Sequence, residues 1–199
     1  MQAFIISLER ERARRKESIR LIRLSGLPFE LIEAVDGRVT SNLPRSPGGW
    51  QEISNTEVAC YLSHLRALQR IVDYDLPYAM ILEDDFDYRV GVTPGLAEIE
   101  PLLPPDFDYV CLHDIRGELF EGYTVAEQCP PFQRLVTPPL VALGYIVSRK
   151  LAAHILKERW LPYCPFDHVV IHLSNDRCWG LYDLIDPVLR ARSVPSTIR

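Results

Sequence analysis

Up to residue 85 the chain alternates short apolar runs with charged helical patterns, and this alternation restricts the available folds more than any other feature. Residues 3–8 are apolar and rich in β-formers, which predicts a buried strand. Residues 9–25 turn charged, with Ile19, Ile22 and Leu24 at helical spacing and a stop near Gly26. Residues 29–34 predict a second strand, followed by a turn at Asp36-Gly37. A surface loop over 38–52 precedes Ser54 and Glu57, an S-x-x-E capping box in which each side chain satisfies an orphan backbone N–H. Val58, Leu62, Leu65, Leu68 and Val72 then line one helix face. Residues 78–82 form another buried strand, stopped by Glu83-Asp84-Asp85. Strands alternating with helices imply an α/β, Rossmann-like fold with a mostly parallel central sheet flanked by helices. In such sheets ligands bind beyond the carboxyl ends of the strands, where the acidic triplet falls.

The second half is less periodic. Residues 95–103 predict a short helix, 109–112 a strand, and the Pro-rich stretch 116–139 irregular hairpins or an active-site flap. Residues 140–147 read as a strand entering a helix capped by Ser148, a further short helix starts at Asp167, and 182–185 form a last strand before an Arg-containing tail. No repeat or linker divides the 199 residues, so a single domain is expected, with 1–115 and 116–199 as its two halves. Lys and Arg number 22 against 27 Asp and Glu; the formal charge of −5 disfavours a nucleic-acid partner. Five scattered cysteines without C-x-x-C spacing read as buried apolar side chains in a reducing compartment. With no signal peptide legible at Met1, a cytoplasmic location is expected, extending at most to peripheral contact at the inner face of the inner membrane.

Convergent carboxylates raise one another's pKa, and a hard cation such as Mn²⁺ or Mg²⁺ is the usual remedy. Strand alternation would aim Glu83 and Asp85 to one side with Asp84 opposed. The competing reading of the triplet is a solvated strand terminus. Seven of the 22 cations (Arg10, Arg12, Arg14, Arg15, Lys16, Arg20 and Arg23) crowd into the first helix. Those near its start oppose the macrodipole, which a negative group such as a diphosphate would offset. Arg14 and Arg15, just after the first strand, are the best placed to meet a ligand. The competing reading is a solvated charged face paired with Glu9, Glu11 and Glu17.

Several segments together resemble glycosyltransferase family 25, which includes bacterial lipooligosaccharide galactosyltransferases and collagen galactosyltransferases. They are Ile5-Ile6-Ser7-Leu8 with Arg14-Arg15, Phe29 through Ala34-Val35-Asp36-Gly37, and Glu57-Val58-Ala59-Cys60-Tyr61-Leu62-Ser63-His64. Ile81-Leu82-Glu83-Asp84-Asp85, Gly144-Tyr145-Ile146-Val147-Ser148, Pro165-Phe166-Asp167 and Ser196-Thr197-Ile198 continue the series in family order. Each is weak alone; the E-x-x-C-x-x-S-H element followed by the acidic triplet is specific.

The resemblance implies a GT-A fold and inverting transfer of a hexose, most often galactose, from a UDP-sugar to a hydroxyl acceptor. A bacterial surface glycan or glycolipid such as lipopolysaccharide is the acceptor it suggests. Asp85, with Glu83, would ligate Mn²⁺ (or Mg²⁺), while Ser7, Leu8, Arg14, Arg15, Asp36, Gly37, Ser63, His64, Glu83 and Asp84 would surround the donor. The general base would be Asp167, with Asp114 in reserve; Asp167 also reads as a plain helix N-cap, and His64 as a packing histidine. The family fold often supplies a late histidine to the metal, and here His168 and His172 are the last ones available. A catalytically lapsed nucleotide-sugar-binding protein and a metal-dependent phosphohydrolase are the competing functions.

Overall fold

The computed structural model describes residues 1–48, 53–89, 92–113, 124–137, 142–158, 161–174 and 179–192. In chain order the elements are β1 (Ala3–Ser7), α1 (Arg12–Ser25), β2 (Phe29–Glu33), α2 (Asn55–Asp73), β3 (Tyr78–Glu83) and β4 (Phe86–Tyr88). There follow β5 (Tyr109–Cys111), β6 (Thr124–Cys129), β7 (Phe132–Thr137), β8 (Gly144–Ser148), α3 (Arg149–Glu158), α4 (Asp167–Ser174), β9 (Leu181–Leu184) and β10 (Leu189–Ala191).

An eight-stranded sheet has the order β2-β1-β3-β8-β5-β9-β7-β6. β1 runs parallel to β2 and β3, and β5 runs parallel to β9. β8 lies antiparallel between β3 and β5, and β7 lies antiparallel to both β9 and β6. β8 and β7 therefore oppose a common direction shared by the other strands, so the sheet is mostly parallel, as the alternation implied. Helices cover both faces. Phe4 and Ile6 of β1 point into a core with Tyr61, Leu68 and Ile71 of α2 and Leu151 of α3. The alternate residues Ala3 and Ile5 point into a second core with Leu21 and Ile22 of α1. Burial on both faces explains why β1 reads as a continuous apolar run.

Three local expectations change. Residues 95–103 form two 3₁₀ turns, Leu96–Glu98 and Glu100–Leu102, instead of one helix. Pro101 has no N–H to donate back, so an α-helical ladder cannot run through it. The described part of 116–139 is an ordered hairpin, β6 and β7, extending the sheet beyond β9. The third change is a pair of three-residue strands, β4 and β10, joined antiparallel outside the main sheet. That pairing ties the chain just after the acidic triplet to residues close to the end of the described chain.

α2 begins as its sequence dictates. Ser54 Oγ accepts from Glu57 N at 3.2 Å, and Glu57 Oε2 accepts from Ser54 N at 2.7 Å. α3 is likewise entered through Ser148, whose Oγ accepts from Leu151 N at 3.1 Å and donates to the buried Asp108 at 2.8 Å. Replacing Ser54 with Ala should lower stability by about 1 kcal/mol. Denaturant unfolding should show a lower midpoint with an unchanged slope; an unchanged midpoint would show that the box contributes nothing.

Candidate active site

β1, β2 and β3 are parallel neighbours, so their carboxyl ends open on the same side of the sheet. An open cleft lies there, bounded beneath by α2. Ser7 and Leu8 enter it from β1, Asp36 and Gly37 from the segment after β2, and Glu83, Asp84 and Asp85 from β3. Arg14 of α1 and Ser63 and His64 of α2 complete the wall.

The triplet does not follow strand alternation. β3 ends at Glu83 and β4 begins at Phe86, so Asp84 and Asp85 occupy the turn between them. Asp84 is therefore not opposed to Asp85: one Arg14 nitrogen, Nη2, lies 2.6 Å from Asp84 Oδ1 and 2.9 Å from Asp85 Oδ2. Ser7 Oγ donates to the other Asp84 oxygen at 2.6 Å. The negative partner owed to the basic start of α1 is thus supplied in part by the protein itself. Arg15 does not line the cleft; it holds the wall, donating to the Ser7 carbonyl at 2.8 Å and to Glu33 at 2.7 Å.

α2 supplies the floor. Ser63 Oγ donates to the Ala59 carbonyl at 2.6 Å and accepts from Val35 N at 2.8 Å, fixing the segment that carries Asp36 and Gly37. A Cβ on Gly37 would fall 2.4 Å from the Asn55 carbonyl oxygen, so only glycine permits this approach to the start of α2. Asp36 pairs with Arg10 at 3.0 Å and accepts from Arg38 N at 3.0 Å. His64 is fully buried. Its Nε2 lies 3.2 Å from Glu83 Oε1 and its Nδ1 lies 2.9 Å from the Tyr145 hydroxyl. Its ring stacks on Phe166 at 4.2 Å with planes 4° apart. The histidine is both a packed core residue and the orienting partner of Glu83.

Burial pushes Glu83 upward, but the His64 hydrogen bond and charge, with Arg14, outweigh it and hold the carboxyl below its usual value. Asp84 is raised, by burial first, against the pull of Ser7 and Arg14. Asp85 is raised to about 6, by burial and then by the Glu83 charge, with Arg14 opposing. Its Oδ1 is buried and has no hydrogen-bond partner among the described residues. An orphaned buried oxygen on Asp85, within reach of the Glu83 charge, is a donor chemistry that a hard divalent cation would fit.

Asp167, the first residue of α4, does not line the cleft. It follows Phe166, which packs on His64, and its charge acts on both Glu83 and Cys60. Burial raises its pKa. Asp114 lies outside the described residues, as do Ser196-Thr197-Ile198. His168 and His172 do not line the cleft either; His172 Nδ1 is 3.0 Å from the Tyr163 hydroxyl. Sequence reasoning missed Arg192, read as part of a basic tail. Its backbone N–H donates to the Asp85 carbonyl at 2.7 Å and its guanidinium to the Asp84 carbonyl, bracing the turn from behind. The alternation of apolar and basic residues through Leu189-Arg190-Ala191-Arg192 was the available signal of a strand there.

A carboxyl raised in the folded state costs stability as pH rises. The cost from Asp85 accumulates between about pH 4 and pH 6 and is complete above that. Asp85→Asn should therefore stabilise the metal-free protein at pH 7.5 by about 1–3 kcal/mol, with the gain disappearing near pH 4. Thermal melts across this range check it; a gain independent of pH would remove Asp85 ionisation as its cause.

Residues 1–92 match the family model described as Glycosyltransferase family 25 (LPS biosynthesis protein). A glycosyltransferase 25 family member of Drosophila pseudoobscura is 34% identical over 202 residues, covering 88% of this chain and 31% of that protein. The lipooligosaccharide biosynthesis protein lic2B of Haemophilus influenzae is 28% identical over 167 residues, covering 76% of this chain and 62% of that protein. The chain thus spans less than two thirds of the length of these curated relatives. Among solved structures, a glycosyltransferase involved in glycosylation of the major capsid of PBCV-1 superposes with a TM-score of 0.57 at 10% identity. That match covers 98% of this chain and 94% of the other, and it speaks to the fold. Over residues 1–92 the chain is similar to glycosyltransferase family 25, the family that its motifs resemble.

Proposed function

We propose that the protein is a metal-assisted, inverting glycosyltransferase that moves a hexose, galactose in the first instance, from a UDP-sugar to a hydroxyl acceptor on a bacterial surface glycan. One observation carries the reading. The cleft brings residues from four of the family-like segments, Ser7-Leu8, Asp36-Gly37, Ser63-His64 and the acidic triplet, to one rim of three strand ends.

In this reading Ser7, Leu8, Asp36 and the close backbone at Gly37 border the uridine. Glu83 and Asp85 hold Mn²⁺ or Mg²⁺, which when bound offsets the charge that develops on the departing diphosphate. His64 keeps Glu83 oriented and ionised. Arg14 already faces the triplet and would meet the diphosphate there. As the acceptor hydroxyl attacks the anomeric carbon, Asp167, outside the cleft wall but close enough for its charge to couple to Glu83, takes its proton, and UDP departs with the bonding pair on its β-phosphate oxygen. A carboxyl raised by burial is a better base than an exposed aspartate, which suits Asp167 to the task. The donor half would be 1–115 and the acceptor half 116–199. No helix among the described residues is long and apolar enough to cross a membrane. Work at the cytoplasmic side, with at most peripheral membrane contact, is part of the proposal.

Calorimetry with UDP and UDP-galactose, with and without Mn²⁺, tests it. Binding that requires the metal is expected, and Asp85→Asn should weaken it by at least about tenfold, a loss of 1.4 kcal/mol. Asp167→Asn should retain donor binding while UDP release in the presence of acceptor glycan falls about 100-fold or more. No UDP binding at saturating Mn²⁺ would sink the proposal. Loss of donor affinity in Asp167→Asn would make that residue part of the donor site and not the base.

A further inference from the structure

The proposed reaction leaves Cys60 unused. The E-x-x-C-x-x-S-H element sets Cys60 and His64 four residues apart on α2, one above the other on the same helix face. The end of β3 brings Glu83 to that face. His64 Nε2 lies 3.2 Å and Cys60 Sγ 4.0 Å from the same oxygen, Glu83 Oε1, and the three donor atoms all lie within 4.8 Å of one another. Ligands around a tetrahedral zinc ion stand about 3.3–3.6 Å apart, so sub-ångström to ångström side-chain adjustments close this set on a cation.

We propose that Cys60, His64 and Glu83 form a binding site for Zn²⁺ or a cation of similar softness, distinct in chemistry from the hard-cation pair Glu83 and Asp85. Three features of the cluster support it. A sulfur–imidazole–carboxylate set selects zinc over Mn²⁺ or Mg²⁺, because thiolate is a soft donor. The second nitrogen of the histidine, Nδ1, meets the Tyr145 hydroxyl at 2.9 Å, and the ring is clamped flat on Phe166 at 4.2 Å. A fixed outer partner of this kind orients a ligating histidine. Cys60 and Glu83 are half-buried in the cleft wall with His64 fully buried behind them, so a fourth position would open on the cleft side. Zinc binds Cys60 as the thiolate, and the thiol proton passes to solvent.

A consequence follows for the reaction, and it rests on the function proposed above. Glu83 belongs to both sets, so zinc and the donor-binding Mn²⁺ compete for it. Micromolar zinc would then inhibit a Mn²⁺-supported transferase by occupying the same cleft.

The test uses the whole chain, reduced, with Co²⁺ as a spectroscopic substitute for zinc. Co²⁺ should produce a thiolate-to-metal charge-transfer band in the near ultraviolet, and Zn²⁺ should displace it stoichiometrically. Cys60→Ser should lose the band while keeping the far-ultraviolet circular dichroism of the parent. Tyr145→Phe should keep the band but weaken Zn²⁺ binding by about 10–100-fold. Absence of the band in the parent protein, or its persistence in Cys60→Ser, overturns the site. Mn²⁺-dependent UDP binding is measured separately: its failure with the band intact removes only the transferase reading, and the reverse result removes only the zinc site.

Discussion

Carboxylates placed at the end of a buried strand must be compensated from nearby, and the compensation at Glu83-Asp84-Asp85 organises much of the molecule. Arg14 reaches them from α1, Ser7 from β1 and His64 from α2, while Arg192 braces the backbone of the turn. Removing Arg14 would leave two partly buried carboxylates uncompensated at once, which is far costlier than losing an exposed pair. Each contact therefore also fixes the element that supplies it, and the acidic turn acts as a common anchor for both helical layers. The compensation is incomplete at Asp85, whose pKa stays raised and whose Oδ1 is unpaired among the described residues. A site that leaves a charge partly unmet in the resting protein retains electrostatic capacity for a ligand.

α2 converts this anchor into a platform. Its start is set by a capping box, and its apolar face locks it to the sheet through Leu68 and Ile71. The polar residues Ser63 and His64 are consequently placed by packing, with no freedom to turn toward solvent. Ser63 holds the Val35 backbone, and His64 stacks on Phe166 with one nitrogen on the Tyr145 hydroxyl and the other on Glu83. Structural and functional roles coincide at His64, because a histidine buried against aromatic rings is also a rigidly oriented hydrogen-bond partner.

Much of the fold was legible in the sequence. Residues 1–85 carry strong local signals: apolar runs buried on both faces, a capping box, and glycines where the chain must turn or approach closely. Residue positions lining the cleft were readable because strand ends are marked in sequence and parallel strands bring their ends together. The less legible parts have physical reasons. β4 and β10 are three residues each, too short for periodicity, and they pair segments remote in sequence. Strand alternation does not give the direction of Asp84, because a turn begins right after Glu83.

By itself the sequence determined the strands and helices from β1 to β3, and that three acids and a basic helix occupy neighbouring strand ends. These are consequences of local backbone preference and hydrophobic period, which act over a few residues. Only the tertiary structure decided how those charges are shared. Arg14 bridges both aspartates, Arg15 retreats to support Ser7, Arg192 arrives from the far end of the chain, and Cys60 meets His64 and Glu83. Such pairings depend on distances across the sheet and between layers, set by packing of the whole core and by no single segment.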